Sequence, residues 1–167
     1  MKKFTAVSVL IFVVLLTAWV TLFNLCFPLH YRNEIITAGK TYSINPTLIA
    51  SIINAESSFD KNKISPKQAI GLMQLLPTTA QSLTDNENID LFDPETNINL
   101  GVKYLSYLIN KFNDIDTALF AYNAGEGNVT RWLNEQGTKR LTTCPFKETN
   151  AYVTKIKKSL KYYRGRI

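Results

Sequence analysis

The chain holds a single histidine, His30, and only two cysteines, Cys26 and Cys144. One imidazole leaves almost no room for His-rich metal sites or for Ser-His and Cys-His nucleophile pairs. Cys26 falls in an apolar segment, so Cys144 is alone in the rest of the chain and the fold must stand on packing, without an internal disulfide. Acids are missing from 151 to 167, where Lys155, Lys157, Lys158, Lys161, Arg164 and Arg166 account for the whole net charge of +6. The remainder is neutral overall. Zinc-finger spacing and RNP-like motifs are absent, and nucleic acid is not an expected partner. No repeat, low-complexity run or sustained strand alternation appears. Any chemistry must use carboxylates, hydroxyls or amides, and no metal or cofactor is expected.

One long apolar run is present. Residues 4 to 27, "FTAVSVLIFVVLLTAWVTLFNLCF", carry no charge and follow Lys2 and Lys3; spanning a bilayer takes ~20 apolar residues. A cleaved signal has a shorter apolar core and a small-residue cleavage site, which is not seen here. The expectation is therefore an uncleaved membrane anchor over 1 to 30, with a signal segment as the alternative. The basic start keeps the N-terminus cytoplasmic and delivers residues 31 to 167 across the membrane, into the cell envelope or periplasm. Those residues suffice for one globular domain with a sizeable core. The basic 151–167 stretch reads either as the solvated face of a last helix or as a surface drawn to an anionic membrane or wall.

Helical signals dominate that domain. "SINPTLIASIINAESSF" opens with Asn45 as N-cap and Pro46 at the first helical position, and predicts a helix over 46 to 58. A turn at Gly71 feeds a short helix over about 77 to 83. Asp93 and Pro94 start the longest helix after the anchor, with Ile98, Val102, Leu105, Leu108, Ile109 and Phe112 on one face. "DIDTALFAYNAGEG" and "NVTRWLNEQG" are short helices ending at glycines, 138 to 147 is a loop, and 149 to 163 is a basic terminal helix. The prediction is an all-α, multi-helix domain with at most a minor sheet.

Within the first of these helices, Ile52 and Ile53 flank the direction of Glu56 at about 100° per residue, so the carboxyl points along the apolar stripe. Desolvation there raises its pKa and makes Glu56 a candidate general acid. The alternative is a glutamate at a frayed helix end that pairs with Lys61 or Lys63. Met73, among Leu72, Leu75 and Leu76, reads as packing. Tyr122 can be a core tyrosine with a satisfied hydroxyl.

Four stretches in order, "ESSF", "GLMQ", "AYNAG" and "PFKETNAYV", resemble the catalytic domain of the soluble-type lytic transglycosylases over roughly residues 40 to 163. The resemblance implies a lysozyme-like helical fold. It makes Glu56 the single catalytic acid/base, Ser65 a polar residue near the glycan, and Met73 and Gln74 cleft residues. Tyr122 and Asn123 line the catalytic subsite, Glu148 is a second cleft carboxylate that is not the catalyst, and Cys144 has no fixed role.

The implied reaction is non-hydrolytic cleavage of peptidoglycan between N-acetylmuramic acid and N-acetylglucosamine. Glu56 protonates the leaving oxygen while the substrate's 2-acetamido group stabilises the oxocarbenium-like centre, so a protein nucleophile is not needed. The Glu56 carboxylate then deprotonates the muramoyl 6-hydroxyl, which closes a 1,6-anhydro ring. Tyr122 and Gln74 are expected to hold the developing charge and the acetamido group. Asp60, the nearest other acid, lies past the helix end. Expected partners are peptidoglycan glycan strands, the membrane through the N-terminal segment, and an envelope-spanning secretion machine that needs local wall remodelling. The rival functions are a goose-type hydrolytic muramidase and a non-catalytic glycan-binding subunit of secretion assembly.

Overall fold

A computed structural model describes Lys2 to Ile167. Among the described residues eight helices follow one another: α1 (Lys2–Cys26), α2 (Arg32–Tyr42), α3 (Pro46–Glu56), α4 (Pro77–Gln81), α5 (Pro94–Phe112), α6 (Ile115–Ala124), α7 (Glu126–Gln136) and α8 (Lys147–Tyr163). Among the described residues extended structure is limited to isolated bridges, Ile64 with Ile70 and Ile70 with Leu75.

The helix starts follow the expected chemistry. Asn45 Oδ1 accepts from the Thr47 N–H at 2.9 Å ahead of Pro46, and Asp93 Oδ2 accepts from the Thr96 N–H at 2.9 Å ahead of Pro94. Asp114 repeats the device for α6, accepting from the Thr117 N–H at 2.8 Å. Each bond satisfies an N–H that the helix itself leaves unpaired.

α3 is the hub. It packs against α2 and α8, while α5 and α6 close the far side of the same core. Leu48 through Asn54 are buried without a break, so α3 has no solvent face for most of its length. A helix apolar all round is a buried helix rather than an amphipathic surface one. That corrects the single-stripe expectation: Glu56 is the last residue of a central helix, released into a cleft at its end. Fully buried Ile49, Ile52 and Ile53 contribute roughly 1.5–3 kcal/mol each. They fix the helix end against the core.

Two further differences separate the structure from the sequence expectation. α2 was not expected, because "RNEIITAGKTY" is mostly polar and carries Gly39 in its interior. Gly39 is required by proximity: a Cβ there would lie 2.8 Å from the Ile44 carbonyl oxygen. Gly127 was expected at a helix end, but α7 begins at Glu126 and takes it into its first turn. Gly125 alone, at φ 87°, makes the corner between α6 and α7.

Residues 57 to 76 wrap over the end of α3. The Ser57 hydroxyl reaches the Ile53 carbonyl at 3.1 Å and the Leu72 carbonyl at 2.8 Å, joining the helix end to the "GLMQ" turn. From α5, buried Asn97 holds that turn. Its Nδ2 donates to the carbonyls of Ile70 and Leu91, each at 2.9 Å, and its Oδ1 accepts from the Met73 N–H at 2.8 Å. A Cβ on Gly71 would lie 2.2 Å from Asn97 Nδ2, and one on Gly101 would lie 2.5 Å from Met73 Sδ. The turn thus sits flush on α5, and Met73 is fully buried, as packing.

α1 is long and apolar enough, over Val9–Cys26, to cross a membrane. Its base is tied to the domain: the Phe27 ring stacks on Tyr162 with centroids 4.0 Å apart, and the Tyr163 hydroxyl donates to the Pro28 carbonyl at 3.1 Å.

Candidate active site

The six residues singled out by sequence come together. Glu56 from the end of α3, Ser65 and Gln74 from the wrapping loop, Tyr122 and Asn123 from the end of α6, and Glu148 from the first turn of α8 line one cleft of about 340 Å³. Pro66, Lys67, Ala69 and Leu76 complete the walls. Helix ends and a clamped loop converge on it, so the backbone around each polar group is fixed by the core beneath.

Glu56 is half-buried, and burial pushes its carboxyl up to about 7, against smaller lowering influences of Tyr152, Lys63 and Lys155. It forms no ion pair with any described residue. Lys63 does approach, as the alternative expectation had it, but its ammonium bonds the Glu56 backbone carbonyl. Lys155, from α8, donates to the Ala55 carbonyl at 3.2 Å and lies 3.5 Å from that of Asn54. The two lysines therefore cap the last turn of α3, where unpaired carbonyls concentrate negative charge. Its proximity to the helix end desolvates the Lys155 ammonium, and with Lys63 nearby its pKa is lowered.

Tyr152 is the neighbour of Glu56 to which sequence reasoning gave no role, although it stands in "PFKETNAYV". Its hydroxyl is buried with no hydrogen-bond partner of regular geometry, yet it faces the Glu56 carboxyl closely enough to lower that group's pKa. Burial and the neighbouring carboxyl raise the Tyr152 phenol well above its ordinary value, so it remains a donor. The available signal was spacing, since Tyr152 lies four residues after Glu148 on the same face of α8.

Two of the expected roles are narrowed. The Tyr122 hydroxyl donates its proton to the Met73 carbonyl at 2.9 Å, and the Gln74 amide nitrogen donates to the carbonyls of Gly71 at 2.9 Å and Lys63 at 3.1 Å. Neither donor is left for an incoming molecule; the cleft is offered the Tyr122 oxygen and Gln74 Oε1, both acceptors. Gln74 is held at φ 50°, a left-handed conformation that costs a non-glycine residue roughly 1–2 kcal/mol. Ser65 Oγ accepts from the Ala69 N–H at 3.0 Å and shapes the rim. Glu148 is exposed. Asp60 is turned away, its Oδ1 accepting from the Asn62 N–H at 2.9 Å. One carboxyl therefore dominates the cleft floor.

Both influences on Glu56 are measurable by carboxyl-carbon NMR titration. Tyr152→Phe removes the facing hydroxyl and is expected to move the Glu56 midpoint upward from about 7, with stability unchanged in acid, where the carboxyl is protonated, and lowered only where it ionises. Lys63→Met is expected to shift the midpoint in the same direction, and Lys63→Arg to restore it. A midpoint that stays in place in both would remove these groups from the control of Glu56.

A cleft at the end of a buried helix, closed by a loop and by the last helix of an all-α domain, defines a lysozyme-like fold. The chain belongs to the transglycosylase SLT domain family, whose model matches residues 33–143. It is 34% identical over 151 residues to the soluble lytic murein transglycosylase of Salmonella typhimurium, covering 83% of this chain and 23% of that protein. It is likewise 34% identical over 167 residues to the membrane-bound lytic murein transglycosylase C of Histophilus somni, covering 81% of this chain and 46% of that protein. Among solved structures, the 70 kDa soluble lytic transglycosylase of Escherichia coli matches with a TM-score of 0.73 at 32% identity, covering 83% of this chain and 25% of that one. An inactive glutamate-to-glutamine mutant of lytic transglycosylase Slt from Pseudomonas aeruginosa matches with a TM-score of 0.74 at 30% identity, covering 84% and 25%. The chain spans about a quarter of the length of the soluble relatives it matches.

Proposed function

We propose that the chain is a peptidoglycan lytic transglycosylase that cleaves the bond between N-acetylmuramic acid and N-acetylglucosamine and leaves 1,6-anhydromuramoyl ends, with Glu56 as the only catalytic carboxyl. The observation that carries this reading is the state of Glu56: a carboxyl with its pKa near 7, without an ion pair and without a second buried carboxyl beside it. Such a group can give a proton to the glycosidic oxygen and then take one from the muramoyl 6-hydroxyl at the same pH. A two-carboxylate route needs a partner across the bond. Asp60 is committed to its own turn and Glu148 lies at the exposed rim.

The neighbours suit that course. Tyr152, the buried donor that faces Glu56, steadies its carboxylate in the second half of the reaction. Gln74 Oε1 and the Tyr122 oxygen, acceptors only, suit the acetamido N–H and the cationic sugar carbon. Ser65, Asn123 and Glu148 supply polar contacts to the flanking sugars. Beyond Tyr122 the rings of Tyr104 and Tyr107 follow at centroid spacings of 5.5 and 6.2 Å, and they line a further cavity of about 300 Å³. A row of aromatic faces suits a polymer of sugar rings. The similarity to lytic murein transglycosylases, and to an inactive glutamate-to-glutamine mutant among them, supports the same assignment.

On this reading residues 31 to 167 form the catalytic domain, on the outer side of a membrane spanned by α1. The membrane-bound relative supports attachment of this kind. The enzyme then opens wall next to the membrane, as an envelope-spanning machine would require. Mass spectrometry of the products tests the chemistry: digestion of purified wall should yield anhydromuramoyl ends. Reducing muramoyl ends alone would make it a hydrolase, and no new ends at all a glycan-binding subunit.

A further inference from the structure

The joint between α1 and the domain is built from both ends of the chain. The Arg166 guanidinium donates to the Phe27 carbonyl at 2.8 Å and to Asn24 Oδ1 at 3.2 Å, and lies 5.2 Å from the Phe23 ring. With the Phe27–Tyr162 stack, these contacts fix the direction in which the domain stands on α1. Beside the joint opens a groove of about 570 Å³, larger in volume than the Glu56 cleft, lined by Cys26, Phe27, Asn54, Lys155, Lys158 and Tyr162 among others. None of its lining residues is acidic. Lys161 adds a cation against Tyr162, 4.8 Å from the ring centroid.

The groove thus pairs an apolar floor with ammonium groups. Cys26, the last residue of the apolar helix, is part of its wall, so if α1 crosses a bilayer the groove opens at that bilayer's surface. An occupant must be apolar at one end and anionic at the other. We propose that the groove seats an anionic phospholipid of the membrane that α1 spans, the phosphate between Lys155 and Lys158 and the upper acyl chain along Phe27 and Tyr162; this rests on the anchoring reading above. A cation near such a surface strengthens binding roughly fivefold each. Asn54 faces the groove and Glu56 the cleft. Residues two apart on a helix point about 200° apart, so the two openings lie back to back across the last turn of α3. A lipid in the groove therefore occupies the side of α3 opposite the cleft and leaves the cleft open.

The test uses the full chain reconstituted in vesicles of phosphatidylcholine mixed equally with phosphatidylglycerol, then extracted in mild detergent for native mass spectrometry. Phosphatidylglycerol should be retained over phosphatidylcholine by roughly fivefold or more. Lys158→Glu, at an exposed position, should abolish the preference, while Lys139→Glu, the same charge change outside the groove, should keep it. Excess inorganic phosphate should leave the lipid in place, because the floor is apolar. Equal retention of the two lipids, displacement by phosphate, or equal effects of the two substitutions would overturn the proposal. A chain that never enters vesicles would overturn the anchoring reading as well; one that enters without lipid preference overturns the groove alone.

Discussion

Glu56→Gln is expected to abolish turnover of purified peptidoglycan, by at least roughly 10³-fold, while making the protein more stable at neutral pH. A positioned general acid contributes about 10²–10⁴-fold, and here the same group is asked to act twice, so the upper part of that range applies. The stability gain has a definite sign and pH window. Burial raises the Glu56 pKa from 4.5 in the open chain to about 7 in the fold. A raised carboxyl pKa favours the folded state below pH 4.5, where both states are protonated, and the benefit is lost as pH climbs through 7. Glutamine carries no such loss. The unfolding free energies of wild type and variant should coincide in acid, separate between the two values, and run parallel above, with a final gap of about 3 kcal/mol. A variant that melts early at every pH would mean that Glu56 is structural, and one that keeps turnover would remove it from the chemistry.

The parts legible in the sequence were those encoded locally. Asn45 with Pro46 and Asp93 with Pro94 are caps whose partners lie within three residues, and both helices begin where the caps place them. The position of Glu56 was legible too, because the isoleucines that surround it precede it on the same helix. The burial of α3 on every side was not, since its most extensive helix contact is with α8, about a hundred residues away. Lys63 read as a possible ion-pair partner of Glu56 and Lys155 as part of a basic surface, and their carbonyl acceptors become visible only when the loop and α8 fold back over α3. α2 hides behind Gly39, a helix breaker by propensity that is there to let Ile44 approach. For Tyr122, packing does not exclude a place at the cleft: its hydroxyl is satisfied by the Met73 carbonyl, and it still lines the opening beside Glu56.

Asn97 was equally hidden, sitting unremarked in "DPETNINLG", and its loss is expected to cost more stability than loss of the helix caps Asn45, Asp93 or Asp114. Asn97→Ala strands the Met73 N–H, removes a donor from the Leu91 carbonyl, and leaves the Ile70 carbonyl with only the Leu75 N–H. Asn97 is fully buried, so water does not replace these bonds without opening the site. At about 1–3 kcal/mol for each stranded group the loss is roughly 3–5 kcal/mol, a large share of the ~5–15 kcal/mol that holds a domain together. The urea midpoint should fall accordingly, with an unchanged slope. Asn97→Asp should fare no better: it keeps an acceptor for Met73 but sets a carboxylate against two carbonyls that need donors. An Asp variant as stable as wild type would show that the donor half of the amide is dispensable. The effect should also reach the cleft, because the Met73 carbonyl anchors the Tyr122 hydroxyl and the adjacent Gln74 holds its strained conformation only while the turn is clamped. Below its melting range, folded Asn97→Ala is therefore expected to turn over peptidoglycan more slowly than wild type, although Asn97 makes no contact with the cleft.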